Sequence, residues 1–173
     1  MRIRLFLAVA VLAASVALGT SAQEKEKDSA GVVFSGKASA KDVGLPFYPG
    51  SIPHKEKDND SEGMNFNLWG GGSGVKLAVA KMDTSDSPDK VAAFYKKALA
   101  KYGKVLDCTN PPPASDSGKD SNALTCGDDK PDAGGLLFKA GTKDKQHIVG
   151  IKPYGNGTTY DLVALGNWSS DKH

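Results

Sequence analysis

The first 22 residues limit both the length of the chain that folds and the compartment in which it folds. Residues 1–4 form a short basic start, residues 5–18 are an unbroken run of apolar and small residues, and residues 20–22 are all small. This order is typical of a secretory signal peptide, and it predicts cleavage between Ala22 and Gln23. The apolar run is too short for a permanent membrane span. We therefore expect an exported protein, periplasmic or extracellular, with no integral membrane span after cleavage.

Cleavage would change the length and charge that matter for function. It leaves 151 of the 173 residues, enough for one domain. Both arginines, Arg2 and Arg4, lie in the leader, so residues 23–173 carry 20 lysines, 20 acidic residues and no formal net charge. A neutral surface without arginine lacks the positive field that drives nucleic-acid binding. Nucleic acid is therefore not an expected partner.

The two cysteines, Cys108 and Cys126, are predicted to form a disulfide, because the chain is expected in an oxidising compartment. A metal site would need three or four ligands, and His54, His147 and His173 are scattered without the spacing of ligands. The sequence therefore predicts no metal site and no cofactor.

The domain boundaries follow from composition. Residues 23–37 are mostly charged and predict a flexible tail after the leader. An alternative is that residues 32–34, which are apolar, add a strand to the edge of a sheet. Residues 38–168 are expected to form a single domain, and residues 169–173 a frayed C-terminus.

A hairpin is predicted from residue 64 to residue 80. In residues 64–69 apolar side chains alternate with asparagine and tryptophan, which is typical of a strand with one buried face. The glycine-rich residues 70–74 turn the chain, and alternation resumes in residues 75–80.

One amphipathic helix is strongly indicated at about residues 88–102. Ser87 is a favourable N-cap, Pro88 suits the first helical position, and Gly103 suits the end. The apolar residues recur every three or four positions and form one stripe: Val91, Phe94, Tyr95, Ala98, Leu99 and Tyr102.

The remaining pattern predicts a short helical turn at residues 38–43 and further short strands at 105–108, 123–126, 136–140, 147–154 and 158–165. Residues 155–157, Gly-Asn-Gly, are a hairpin turn. The expected fold class is α+β, an antiparallel sheet of about six to seven short strands with one helix packed on one face.

No catalytic arrangement emerges from the motifs. Residues 70–76 are rich in glycine, but they lead into a strand and lack the spacing of a phosphate-binding loop. Ser73 lies in the hairpin rather than in a nucleophile elbow. The acidic run at residues 58–62 lacks the glycine and distal glutamate of a calcium loop.

Large aromatic side chains are the remaining candidates for a contact surface. By alternation Trp69 points to the polar face of its strand, where a large aromatic side chain often marks a contact. The other candidate contact surfaces are Tyr48, Trp168 and residues 109–125. The alternative is that these aromatic side chains pack beneath a loop or the helix. Asn156 and Asn167 begin glycosylation acceptor patterns, whose use depends on the host.

Two stretches resemble a known group of proteins. Residues 44–51, Gly-Leu-Pro-Phe-Tyr-Pro-Gly-Ser, and residues 86–99, which begin Asp-Ser-Pro-Asp-Lys-Val, resemble a turn and a helix found in small exported bacterial proteins of unknown function. The resemblance covers residues 38 to about 105. It implies a bacterial origin and brings no activity.

We therefore expect a monomeric, non-catalytic binding module that contacts an envelope or extracellular partner. The alternative is a small hydrolase of cell-envelope material, built from dispersed carboxylates with His54 or His147.

Overall fold

The computed structural model describes residues 30–55, 63–111 and 123–169. Within these ranges the chain forms an antiparallel sheet of eight strands and one long helix. The predicted leader with its expected cleavage between Ala22 and Gln23 lies outside the described residues. So do the acidic run at 58–62, residues 112–122 and residues 170–173.

The strands are β1 Gly31–Ser35, β2 Ile52–Pro53, β3 Gly63–Gly70, β4 Ser73–Thr84, β5 Leu106–Asp107, β6 Leu136–Thr142, β7 Lys145–Tyr154 and β8 Gly157–Trp168. The helices are α1 Ala40–Val43 and α2 Pro88–Leu99, which continues as a 3-10 turn, Ala100–Tyr102. The order in the sheet is β1-β3-β4-β8-β7-β6-β5, and β2 pairs with the end of β4 beyond β3.

The antiparallel sheet and the single long helix are confirmed, but the strand count is eight rather than six to seven. Two strands come from segments too short or too polar to show alternation, β1 and β2. The strand expected at 123–126 is reduced to one bridge, between Ala123 and Thr142. The α+β label fits loosely, since one long helix accompanies a large sheet.

Residues 31–35, assigned above to the tail, form the edge strand β1. It pairs antiparallel with β3, with Val33 opposite Asn67. The structure thus follows the alternative interpretation of these residues, an added strand, because β3 would otherwise present an unpaired edge.

The core lies between α2 and the strands β4, β8, β7 and β6. Its buried side chains are Val43, Leu45, Ala78, Ala80, Met82, Val91, Ala92, Tyr95, Leu99, Phe138, Ala140, Val149, Ile151, Tyr160, Leu162 and Ala164. The sheet side that carries α1 and α2 is called the helix face here, and the opposite side is called the open face.

Tyrosine side chains fix the turn between α1 and β2. The Tyr95 hydroxyl donates to the Pro46 carbonyl oxygen at 3.1 Å. The Tyr160 hydroxyl donates to Ser51 Oγ at 2.7 Å and accepts from the Tyr48 N–H at 3.1 Å. These buried phenols satisfy backbone groups that two prolines and a tight turn leave without ladder partners.

The strand β3 is oriented opposite to the expectation from its pattern. Its apolar residues, Met64, Phe66 and Leu68, lie on the open face, and Asn65 and Asn67 share the helix face with Ala78 of β4. The reason lies in β4 and β8, where small side chains such as Ala78 and Ala164 let α1 and the following turn approach the sheet closely.

Candidate binding cleft

The structure brings together two of the three aromatic residues proposed as a contact surface. Trp69 ends β3 and Trp168 ends β8, and the strand between them, β4, places Gly74 opposite both. Residues directly opposite in an antiparallel pair point to the same face. Both tryptophans therefore lie at one end of the helix face.

Each indole is seated on a glycine. A Cβ atom added at Gly31 would overlap the Trp69 ring, and one added at Gly74 would overlap the Trp168 ring. The absence of a side chain at these two positions lets the rings lie flat against the backbone. Since Gly31 is in β1 and Gly74 in β4, two strands apart, the rings are separated by about 10 Å.

A cleft of about 800 Å³ opens beside these rings at the end of the sheet. Trp168 remains 45% exposed and Trp69 is half-buried. The other lining residues are Leu68, Gly70, Ser73, Gly74, Val75, Asp144, Lys145, Asn167 and Ser169. Flat apolar rings are thus combined with a carboxylate, an ammonium, an amide and hydroxyl groups.

The β6–β7 turn supplies the charged side of the cleft, and hydrogen bonds hold that turn against β8. The Asn167 N–H donates to the Asp144 carbonyl oxygen at 2.8 Å, and the Lys145 N–H donates to Thr142 Oγ1 at 3.2 Å. Asp144 and Lys145 are therefore positioned next to Trp168.

Tyr48, the third proposed contact residue, lies elsewhere. Its hydroxyl donates to Asp86 at 2.9 Å, and its ring meets Phe94 edge-on at 5.1 Å. The hydrogen bond to Asp86, followed by burial, raises the pKa of the Tyr48 phenol. Its backbone contact with Tyr160 places it toward the opposite end of β8 from Trp168, so Tyr48 supports the turn.

The two histidines of the hydrolase hypothesis have different partners in the structure. His54 is 3% exposed, and its Nδ1 contacts both carboxylate oxygens of Asp83 at 2.8 and 2.9 Å. Tyr154 meets the His54 ring edge-on at 5.1 Å. Nearby Asp161 is half-buried, and desolvation raises its pKa.

The His147 side chain packs against residues of the core rather than in a site open to substrate. Its Nδ1 lies 3.0 Å from the Val43 carbonyl oxygen, and its ring stacks on Tyr102 with 3.6 Å between the ring centroids. Desolvation lowers the pKa of this imidazole. His54 and His147 belong to opposite faces of the sheet, so they form no joint site.

The predicted disulfide is confirmed. Cys108 and Cys126, which are 18 positions apart in the chain, are bonded with their Cα atoms 5.5 Å apart. Within residues 30–55, 63–111 and 123–169, no group of three potential metal-ligating side chains comes together. No helix in these same ranges combines the length and apolarity needed to cross a membrane.

A smaller groove of about 280 Å³ lies between α2 and the β5–β6 edge, next to Lys96, Asp107 and Phe138. Two carboxylates from facing elements line it, Asp89 of α2 and Asp107 of β5, and its lining contains no histidine. It has about a third of the volume of the cleft beside Trp69 and Trp168 and no tryptophan in its lining, so it offers a ligand less contact area.

Sequence reasoning missed the glycines and the charged turn of the cleft. Gly31, Gly74, Asp144 and Lys145 carry no local signal that relates them to the tryptophans. A pattern of tryptophan opposite glycine becomes visible only when the strand register is known.

No family model, curated protein or solved structure matches this chain. The resemblance carried by residues 44–51 and 86–99 thus stays a prediction.

Proposed function

We propose that this chain is an exported bacterial binding module without catalytic activity, and that the cleft beside Trp69 and Trp168 is its ligand site. The leader-like N-terminus supports export, and the disulfide is compatible with an oxidising compartment. The observation that carries the binding role is the pair of indoles seated flat on Gly31 and Gly74 at the mouth of one cleft.

The chemistry of the cleft favours a saccharide. An exposed indole gains most from a ligand that covers its ring with C–H groups and keeps polar groups at the rim. The side chains of Asp144 and Asn167, together with Ser73, can accept from or donate to sugar hydroxyls. Such a mixture of apolar walls and a few polar groups is usual in small-molecule sites.

The charged residues of the chain and of the cleft favour an uncharged ligand. Residues 23–173 have no arginine, the side chain best suited to holding phosphate or carboxylate through two hydrogen bonds. Within the cleft, Lys145 is balanced by Asp144. An anionic ligand would therefore meet no net positive field.

The test is a thermal-shift screen of the exported, oxidised protein against neutral oligosaccharides, peptidoglycan fragments and anionic sugars. A ligand at about one hundred times its dissociation constant stabilises by about 2.7 kcal/mol, a rise in melting temperature of about 5–10 °C. Trp168→Ala should remove the shift and leave the unliganded melting temperature nearly unchanged. A saccharide shift that survives in both Trp168→Ala and Trp69→Ala would place the site elsewhere.

A hydrolase of envelope material is the second candidate, and the His54–Asp83 pair favours it. A carboxylate that orients an imidazole is a common part of acid–base sites. The pair ranks second because His54 is 3% exposed and Tyr154 lies against its ring, so substrate access is poor. Release of reducing ends from peptidoglycan that is lost in His54→Ala, but kept in His147→Ala, would reverse the ranking.

A further inference from the structure

We infer that the open face of the sheet is an interface between two copies of this chain, packed sheet against sheet. This differs from the monomer expected from the sequence. It does not rest on the proposed function, although Leu68 and Val75 belong both to the open face and to the lining of the cleft. The open face is apolar over most of β1, β3, β4 and β8. In a twofold dimer this apolar surface of one copy packs against the same surface of the other copy.

Register shows how continuous the apolar surface is. Three rows cross the strands, each made of residues directly opposite one another. The central row is Phe34, Phe66, Leu77 and Leu165. Val32, Leu68 and Val75 form the row on one side, which ends at the polar Asn167 of β8. Met64, Val79, Val163 and Ile148 form the row on the other side.

Five of these eleven side chains are exposed, and the other six are partly buried. Val32 and Phe34 are 63% and 68% exposed, and Leu165 is 36% exposed. Monomeric proteins rarely present so broad an apolar surface to water, since single exposed apolar residues are common but contiguous ones are not.

The remainder of the exported chain lacks the side chains to cover this surface. Residues 56–62 and 170–173 contain no apolar residue, and residues 112–122 contain only one alanine besides prolines. A segment before β6 lies over part of the open face at β6 and β7, where Asp129 pairs with Lys139 and Asp132 pairs with Lys152. The cover therefore comes from another molecule.

Charge favours a second copy over a lipid surface. An anionic bilayer attracts clusters of lysine and arginine. On the open face, Lys81 and Lys152 are accompanied by Asp83 and Asp161 in the same region, and residues 23–173 have no net charge. Two neutral copies meet without electrostatic repulsion.

Geometry also suits a dimer. Five strands, β1, β3, β4, β8 and β7, span about 24 Å, and six residues of each span about 20 Å, which gives a footprint of about 480 Å² per copy. Stable interfaces bury about 800 Å² per partner, so a footprint of this size corresponds to a small interface that forms at the upper end of the concentration range. Two sheets pack face to face about 10 Å apart with their strands nearly aligned. In a twofold arrangement the polar region near Asp83 lies at the rim, as in most interfaces.

The experiment is the molar mass of the full chain after export and disulfide formation, measured by light scattering and sedimentation over about a hundredfold range of concentration. Phe34→Lys and Leu165→Lys place a charge on the central row. Neither residue lines the cleft, and both are exposed enough to be replaced without unfolding the chain, which circular dichroism would verify. Val33→Lys is the matched control, because Val33 is 47% exposed in the same edge strand but points to the other face.

At the upper end of the concentration range we expect twice the chain mass for the unchanged protein and for Val33→Lys, and the mass of one chain for Phe34→Lys and for Leu165→Lys. A single-chain mass for the unchanged protein at every concentration would overturn the inference. So would a dimer that Val33→Lys disrupts as strongly as Phe34→Lys, which would indicate edge-to-edge strand pairing. Co-sedimentation of the unchanged protein with vesicles of anionic phospholipid, lost in Leu165→Lys, would identify a membrane as the occupant instead.

Discussion

The indole of Trp168 lies over the backbone of Gly74, its register partner in β4, so closely that a methyl group on that glycine would overlap the ring. The same relationship holds between Trp69 and Gly31 across β3 and β1. The position of each ring, and with it the shape of the cleft, is thus set by a residue without a side chain on the neighbouring strand.

Gly74→Ala should displace the Trp168 ring and weaken saccharide binding about tenfold, equivalent to about 1.4 kcal/mol. The added methyl would occupy the space of the ring, so we also expect a shift in tryptophan fluorescence. Gly36→Ala is the control, since a Cβ there would meet no atom within 4 Å. Unchanged affinity in Gly74→Ala would show that the ring position does not matter for binding.

Tyr48→Phe should lower stability and leave ligand binding intact. It removes the hydrogen bond to Asp86 but keeps the edge-on contact with Phe94. Loss of one such bond costs about 1 kcal/mol, which lowers the melting temperature by about 2–4 °C. Titration of the saccharide found for the unchanged protein supplies the second measurement, and a large loss of affinity would return Tyr48 to the contact surface.

Removing the disulfide should destabilise the chain without changing its fold. The bond joins residues 18 apart, and a loop of this length contributes about 3 kcal/mol in the chain-entropy model. We expect the double variant Cys108→Ser, Cys126→Ser to melt about 6–12 °C lower. Urea unfolding followed by circular dichroism measures the loss directly, and equal midpoints for the two proteins would contradict it.

Asp161→Asn should stabilise the protein at neutral pH. Burial raises the pKa of Asp161 above 3.8 in the folded state, despite the attraction of Lys81 and Lys152. The folded state therefore holds this proton more tightly than the unfolded state, and stability falls as pH rises from 3.8 through the raised pKa.

The asparagine variant does not lose stability in this way, so its melting temperature should be higher than that of the unchanged protein at neutral pH and nearly equal at pH 3. The measurement is a pair of melting curves at each pH. Asp128→Asn, at an exposed turn, is the matched control. Destabilisation by Asp161→Asn at neutral pH would mean that its attraction to the two lysines outweighs its desolvation.

His147 should make stability depend on pH in the opposite direction. Desolvation holds the pKa of His147 below 6.5 in the folded state, so the unfolded state takes up the proton first as pH falls. The contribution of His147 to the free energy of unfolding is fully present above pH 6.5. It is lost as the pH falls from 6.5 through the lower pKa that His147 has in the folded state.

His147→Phe keeps an aromatic ring beside Tyr102 and removes the titrating group. Its free energy of unfolding should therefore fall less than that of the unchanged protein between neutral pH and about pH 5. Urea titrations at several pH values give the slope of the free energy of unfolding against pH for each of the two proteins. Identical slopes would assign the acid sensitivity to other groups.

The elements that were predicted correctly have their signals within a few consecutive residues. The helix at 88–102 follows from Pro88, a three-to-four-residue apolar period and Gly103, and the structure continues it to Tyr102. The β7–β8 hairpin follows from Gly155 and its neighbours, and Gly155 has a φ of 56°. The disulfide follows from the number of cysteines and from the oxidising compartment that the leader-like start predicts.

The sheet edges and the cleft could not be predicted from the sequence, because they depend on contacts between residues that are distant in the chain. β1 and β2 are short, and their strand character comes from pairing with β3 and β4. Trp69 and Trp168 are separated by almost one hundred positions, and only the register through Gly74 places them on one face.

The sequence by itself determined the leader-like start, the helix, the hairpin turns and the alternation of the strands, because these depend on local backbone preferences and on the spacing of apolar side chains. Only the tertiary structure decided which face of the sheet α2 covers. Alternation distinguishes two faces of a strand but does not say which one is buried. That choice depends on small residues of β4 and β8 beneath α1 and its turn, and it leaves Phe66 on the open face and Trp69 beside the cleft.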